Sequence, residues 1–106
     1  MRSMLMYEID PGRLDLAREF RDKPFGRHSG ELQRVINRMR AGSNAGRLVL
    51  VTLERHKRWG LGRMGAELGD PVTPVPGYEF TSYEEAEWAV FKLRWQALTG
   101  RELALD

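Results

Sequence analysis

The chain has 106 residues, 42% apolar and 30% charged, with a net charge of +2 and no cysteine. That balance describes a single globular domain (residues 1–106) rather than a disordered chain, and one of this size buries only about two thirds of its unfolded surface. The missing cysteines exclude disulfides, thiolate zinc sites and thiol nucleophiles, and no run approaches the ~20 apolar residues of a transmembrane helix.

The N-terminus, MRSMLMYEIDPG, has too short an apolar run for a signal peptide, and Glu8 and Asp10 follow it directly. A cytoplasmic protein with no membrane partner is the expectation. Asp10-Pro11 then reads as a helix start, a capping acid followed by proline at the first helical position. This helix carries Leu14, Leu16, Ala17 and Phe20 and ends at Lys23, because Pro24 disfavours helical geometry in the residue before it. Pro24-Phe25-Gly26 is a turn, with Phe25 as a plug between the first two helices. In the second helix Ser29 caps, Glu31 suits the positive end of the dipole, and Gly42 sits where a left-handed closing residue is wanted. Leu32, Val35, Ile36 and Met39 have the i, i+3, i+4, i+7 spacing of a core stripe.

Ser43 to Gly46 is a turn, and Leu48 to Leu53 is the strongest strand signal in the chain, a β-branched-rich apolar run. Arg55-His56-Lys57-Arg58 forms the exposed tip of a hairpin, and Trp59 to Met64 is the returning strand, weakened by glycines. Gly69 to Gly77, with three prolines, is a stiff loop that cannot join a central strand. Tyr78-Glu79-Phe80 adds a short edge strand. Thr81 or Ser82, three residues before Glu84 or Glu85, opens a last helix that Gly100 closes. The sum is an α+β domain: two N-terminal helices, a β-hairpin or three-stranded antiparallel sheet, and a long C-terminal helix.

That last helix is apolar on two opposite sides. Ala86, Ala89, Val90, Leu93 and Ala97 form a small aliphatic stripe, suited to close packing in the core. Trp88, Phe91, Trp95 and Leu98 lie roughly opposite by the same 100° geometry. Aromatic anchors are favoured at protein interfaces. The expectation is a stripe exposed in the isolated chain and covered by another chain, a large subunit or a second copy. The bland alternative is that the N-terminal third folds back over it.

The charge is unevenly spread. Residues 1–63 hold 14 Lys/Arg against 7 Asp/Glu, a net +7, and residues 64–106 hold 3 against 8, a net −5. A basic half suits nucleic acid or an acidic protein surface, and equally suits attraction between the two halves. Arg55, Lys57, Arg58 and Trp59, with Arg34, Arg38 and Arg40, make the best case for contact with an anion or nucleic acid. Against it stands a merely solvated turn and helix face. His28 and His56 both sit among cations, which disfavours metal binding. Gly60-Leu61-Gly62 is a lone GxG, a weak phosphate signal. No HExxH, Walker-type loop or G-x-S-x-G elbow occurs, so the chain offers no catalytic residue, cofactor site or metal site of its own.

One family shares these features. Pro24-Phe25-Gly26, His28, Leu32-Gln33-Arg34-Val35, Asn37 and Arg40 resemble the central segment of the small subunit of N,N-dimethylformamidase. Trp59, Glu67-Leu68-Gly69, Phe80, Glu84-Glu85-Ala86, Ala89-Val90-Phe91 and Arg94 follow in the same order, so the resemblance spans about residues 24–98. The chain departs from the family in lacking much of the charged helical extension that the family carries at its N-terminus, and in its proline-rich Pro71–Gly77 loop. The resemblance implies a bacterial amide hydrolase of small and large subunits. It also implies an active-site iron held by tyrosine and glutamate side chains of the large subunit. This chain would then be a non-catalytic subunit, docked through its C-terminal helix. A small nucleic-acid-binding module and a homodimeric interaction protein are the alternatives.

Overall fold

The computed structural model describes residues 8–41, 46–67 and 69–105. In chain order these form α1 (Leu14–Asp22), α2 (Gly30–Arg40), β1 (Leu48–Glu54), β2 (Arg58–Arg63), β3 (Thr73–Phe80) and α3 (Tyr83–Thr99). The sheet is antiparallel throughout with strand order β1-β2-β3, so the α+β architecture is as expected. The chain groups into two compact units, one built from residues up to Ala41 and from Lys92 onward, the other from the residues between, through Phe91.

In the first unit, α1 begins a turn later than expected. The Asp10 carboxylate accepts from the backbone N–H of Gly12 at 2.8 Å, and the Asp10 carbonyl accepts from Arg13 at 3.0 Å. Asp10-Pro11 therefore closes a separate tight turn, and Arg13 takes the N-cap position without a side-chain cap. Arg13 instead reaches Asp15 at 3.0 Å and Glu31 at 2.9 Å, linking the start of α1 to the first turn of α2. Leu16, Ala17 and Phe20 are buried from α1, and Leu32, Val35, Ile36 and Met39 from α2. The α2 stripe is the one expected.

Ser29 caps α2, its hydroxyl oxygen accepting from the Leu32 N–H at 3.2 Å. Its own N–H and O–H both donate to the carboxylate of Glu19 on α1, each at 2.7 Å. One residue thus starts one helix and fastens it to the other. The helix ends at Ala41, in extended geometry, and the expected Gly42 stop and most of the following turn lie outside the described residues. Phe25 is not the plug between the helices; its side chain is 48% exposed. Phe20 fills that role instead, buried and stacked on His28 with ring centroids 5.9 Å apart.

In the second unit, β1 and β2 pair from Leu48↔Arg63 to Thr52↔Trp59, with Leu53 as an extra residue before Glu54↔Arg58. Beyond β2, the segment expected as a loop is strand from Thr73 onward, carrying Pro74 and Pro76. Proline lacks a donor, and an edge strand tolerates that because one row of its backbone groups has no neighbour. Between Leu61↔Val75 and Gly60↔Glu79, β3 holds three extra residues, Pro76, Gly77 and Tyr78. Gly77 takes the left-handed conformation (φ 90°) that this bulge requires.

Helix α3 begins where the capping pattern placed it: the Ser82 hydroxyl oxygen accepts from the Glu85 N–H at 3.3 Å. Of the stripe expected in the core, Ala86 and Val90 are buried, but the opposite face is not as expected. Trp88, Phe91 and Trp95 are 9%, 2% and 1% exposed within this single chain, while Leu93 is only half-buried and Ala97 is exposed. The helix passes from one compact unit into the other at Phe91/Lys92, so its apolar residues serve two cores.

Two outcomes follow. Trp95→Ala should destabilise the chain by ~3–5 kcal/mol, the usual cost of truncating a buried tryptophan, whereas Leu98→Ala should cost under ~1 kcal/mol; urea unfolding followed by far-ultraviolet circular dichroism reads both. The second outcome concerns acid. Hydrogen bonds from the Ser29 hydroxyl and then its backbone N–H hold the Glu19 carboxyl below its ordinary value of 4.5. A carboxylate with a lowered folded-state pKa contributes stability above the ordinary value and loses it as pH falls through the lowered one. Glu19→Gln should therefore flatten the fall in melting temperature on acidification below about pH 4.5.

Candidate partner surfaces

The hairpin tip is less basic in the fold than in the sequence. The Arg58 guanidinium donates to the Glu54 carboxylate at 3.2 Å and also to the Glu79 carboxylate on β3. These bonds, Glu79's first, raise its pKa further above an already high value. Arg58 thus serves as a cross-strand tie, joining all three strands at one end of the sheet. Trp59 is half-buried, with Tyr83 of α3 edge-on to it, centroids 5.5 Å apart at 70°. Burial, and then Glu87, pushes the Tyr83 hydroxyl up. Of the four residues expected to meet an anion, Arg58 and Trp59 are therefore engaged within the sheet and its neighbouring helix. Arg55 and Lys57 stay exposed beside His56, which turns the hairpin at φ 63°, and neither is paired with a carboxylate.

Of the residues expected at a protein interface, Trp88, Phe91 and Trp95 are enclosed and Leu98 is 39% exposed. The larger apolar exposure lies on the sheet, which periodicity along one helix could not reveal. Val49 faces Gly62 and Val51 faces Gly60, so two glycines replace side chains on the face that carries Val49, Val51 and Leu53. A Cβ added at Gly62 would stand 2.3 Å from a Val72 methyl and 3.1 Å from a Val51 methyl; at Gly60 it would meet Leu53 at 3.2 Å. Valine and leucine side chains from both edges therefore lie over the bare backbone of β2. Leu53 (50%), Val72 (42%) and Tyr78 (38%) stay open to solvent. A signal was present in the sequence: Gly60 and Gly62 alternate in a strand, which marks close approach to the backbone.

Among the described residues, no three or more His, Asp or Glu side chains gather as a metal-binding group. None of the helices there is long and apolar enough to cross a membrane.

Compared with known families, the sequence matches the N,N-dimethylformamidase alpha subunit over residues 1–104. The chain belongs to that family. The match extends beyond the 24–98 span of the resemblance at both ends. Among curated proteins, no sequence matches. Membership of a subunit family implies a partner subunit.

Arg58→Ala should lower the melting temperature measurably by untying Glu54 from Glu79, whereas Arg55→Ala and Lys57→Ala should leave it unchanged. Differential scanning calorimetry of the three variants at low and high salt checks this.

Proposed function

We propose that this chain is the non-catalytic small subunit of an amide hydrolase of the dimethylformamidase type, seated in the cytoplasm on a large catalytic subunit. The family match across residues 1–104 carries the reading. The active-site iron belongs to the large subunit in this reading, which supplies the metal chemistry of amide hydrolysis. This chain contributes none of the reacting groups. Its role is to complete the folded surface of its partner, and its exposed Phe25, Leu53, Val72, Tyr78 and Leu98 supply apolar area for that contact. Docking through the aromatic stripe of α3 would first require unpacking Trp88, Phe91 and Trp95 from the chain's own interior, at several kcal/mol. Surfaces outside that stripe fit the role better.

Purified from its native cells under mild conditions, the tagged chain should arrive with a much larger, iron-containing chain. The complex should hydrolyse N,N-dimethylformamide or a related small amide, releasing the amine, and the isolated small chain should not. Recovery of the chain alone, or on nucleic acid that resists physiological salt, overturns the reading.

A further inference from the structure

We infer that the outward face of α2, which carries Arg34 and Arg38, is an electrostatic docking face for a carboxylate-bearing surface of the partner subunit. The inference rests on the subunit reading and adds to it the place of contact and the chemistry that meets it.

On α1 and α2 every acid is already engaged close to home. Arg13 holds both Asp15 and Glu31, Asp22 pairs with Arg21, and Glu19 accepts from Ser29. None is left for Arg34 and Arg38, whose guanidinium groups make no ion pair or hydrogen bond among the described residues. Arg34 is exposed and Arg38 half-buried, and they stand one turn apart on the side away from Leu32, Val35, Ile36 and Met39. Like charges at this spacing destabilise a helix, and an acid set against both relieves that cost.

Residue type separates this face from an ordinary solvated one. A solvated helix face mixes Lys with Glu at i,i+4 spacing. The cations of α1 and α2 are all arginine, and α2 carries no acid after Glu31. Arginine is enriched at protein interfaces where lysine and glutamate are depleted, and its planar fork meets a carboxylate with two parallel bonds. The face is also held in place, because Ser29 caps α2 and binds Glu19 of α1. Docking on it orders little that is not already ordered.

Charge selects the occupant. A second copy of the chain, docked symmetrically through this face, would bring the same arginines against each other and be repelled. Phosphates of a nucleic acid would satisfy the charge, but α2 has no aromatic ring on which a base could stack, and family membership implies a protein partner. An acidic surface of that partner meets the face favourably.

Binding of the chain to its large subunit, followed by titration calorimetry at low and high salt, tests this. Arg34→Glu should weaken the complex at least about tenfold at low salt and much less at high salt. In the isolated chain the same substitution sets a glutamate four residues before Arg38, a favourable pair, so the melting temperature should hold or rise. Loss of affinity together with a lower melting temperature assigns Arg34 to the fold and overturns the inference. Lys57→Glu, the same change of charge on the hairpin, should alter the affinity less than about twofold, as an effect of net charge alone would not. Equal losses in both variants, or full affinity in Arg34→Glu, overturn the inference and leave the subunit reading standing. Retention of the chain on duplex DNA at physiological salt, lost in Arg34→Glu, assigns the face to nucleic acid and overturns it as well. Failure of the unaltered chain to bind any large subunit removes both readings.

Discussion

The burial of Trp88, Phe91 and Trp95 along α3 is the constraint on which the rest of the structure depends. Each ring can remove ~150–250 Å² from water, more than any aliphatic side chain here. All three lie on one 17-residue helix that supplies residues to both compact units. Neither unit is large: one adds two short helices, the other a sheet of three short strands. Cores of this size are marginal by themselves, because a small body encloses a low fraction of its surface. Trp88 and Phe91 fall in one unit and Trp95 in the other, so each core receives at least one large ring from this helix.

Much of the fold was legible because local signals agreed with one another. At α2, the capping Ser29, the acid in the first turn and the stripe from Leu32 to Met39 all pointed to one helix, and that helix forms. The failures share a physical cause. Periodicity shows which residues share a face, and says nothing about which face is covered. For most helices only one face is apolar and the question does not arise. In α3 two faces are; Ala86 and Val90 of the small stripe are indeed buried, but the large residues opposite, which gain most from burial, are buried as well. Phe25 was misread for a related reason: the contact of Phe20 with His28 spans a turn, and the sequence does not say which of two nearby aromatics the turn will tuck inward.

The basic tip shows the same limit in electrostatics. Arg55-His56-Lys57-Arg58 is a run of cations in sequence, yet antiparallel pairing places Glu54 and Glu79 beside the last of them. Glu79 is 21 residues away along the chain. A charge count over a window cannot see a carboxylate that the sheet brings across, so the anion-binding case was overstated by one cation and one aromatic ring. What survives is narrower: two exposed cations, Arg55 and Lys57, at the tip of the β1–β2 hairpin.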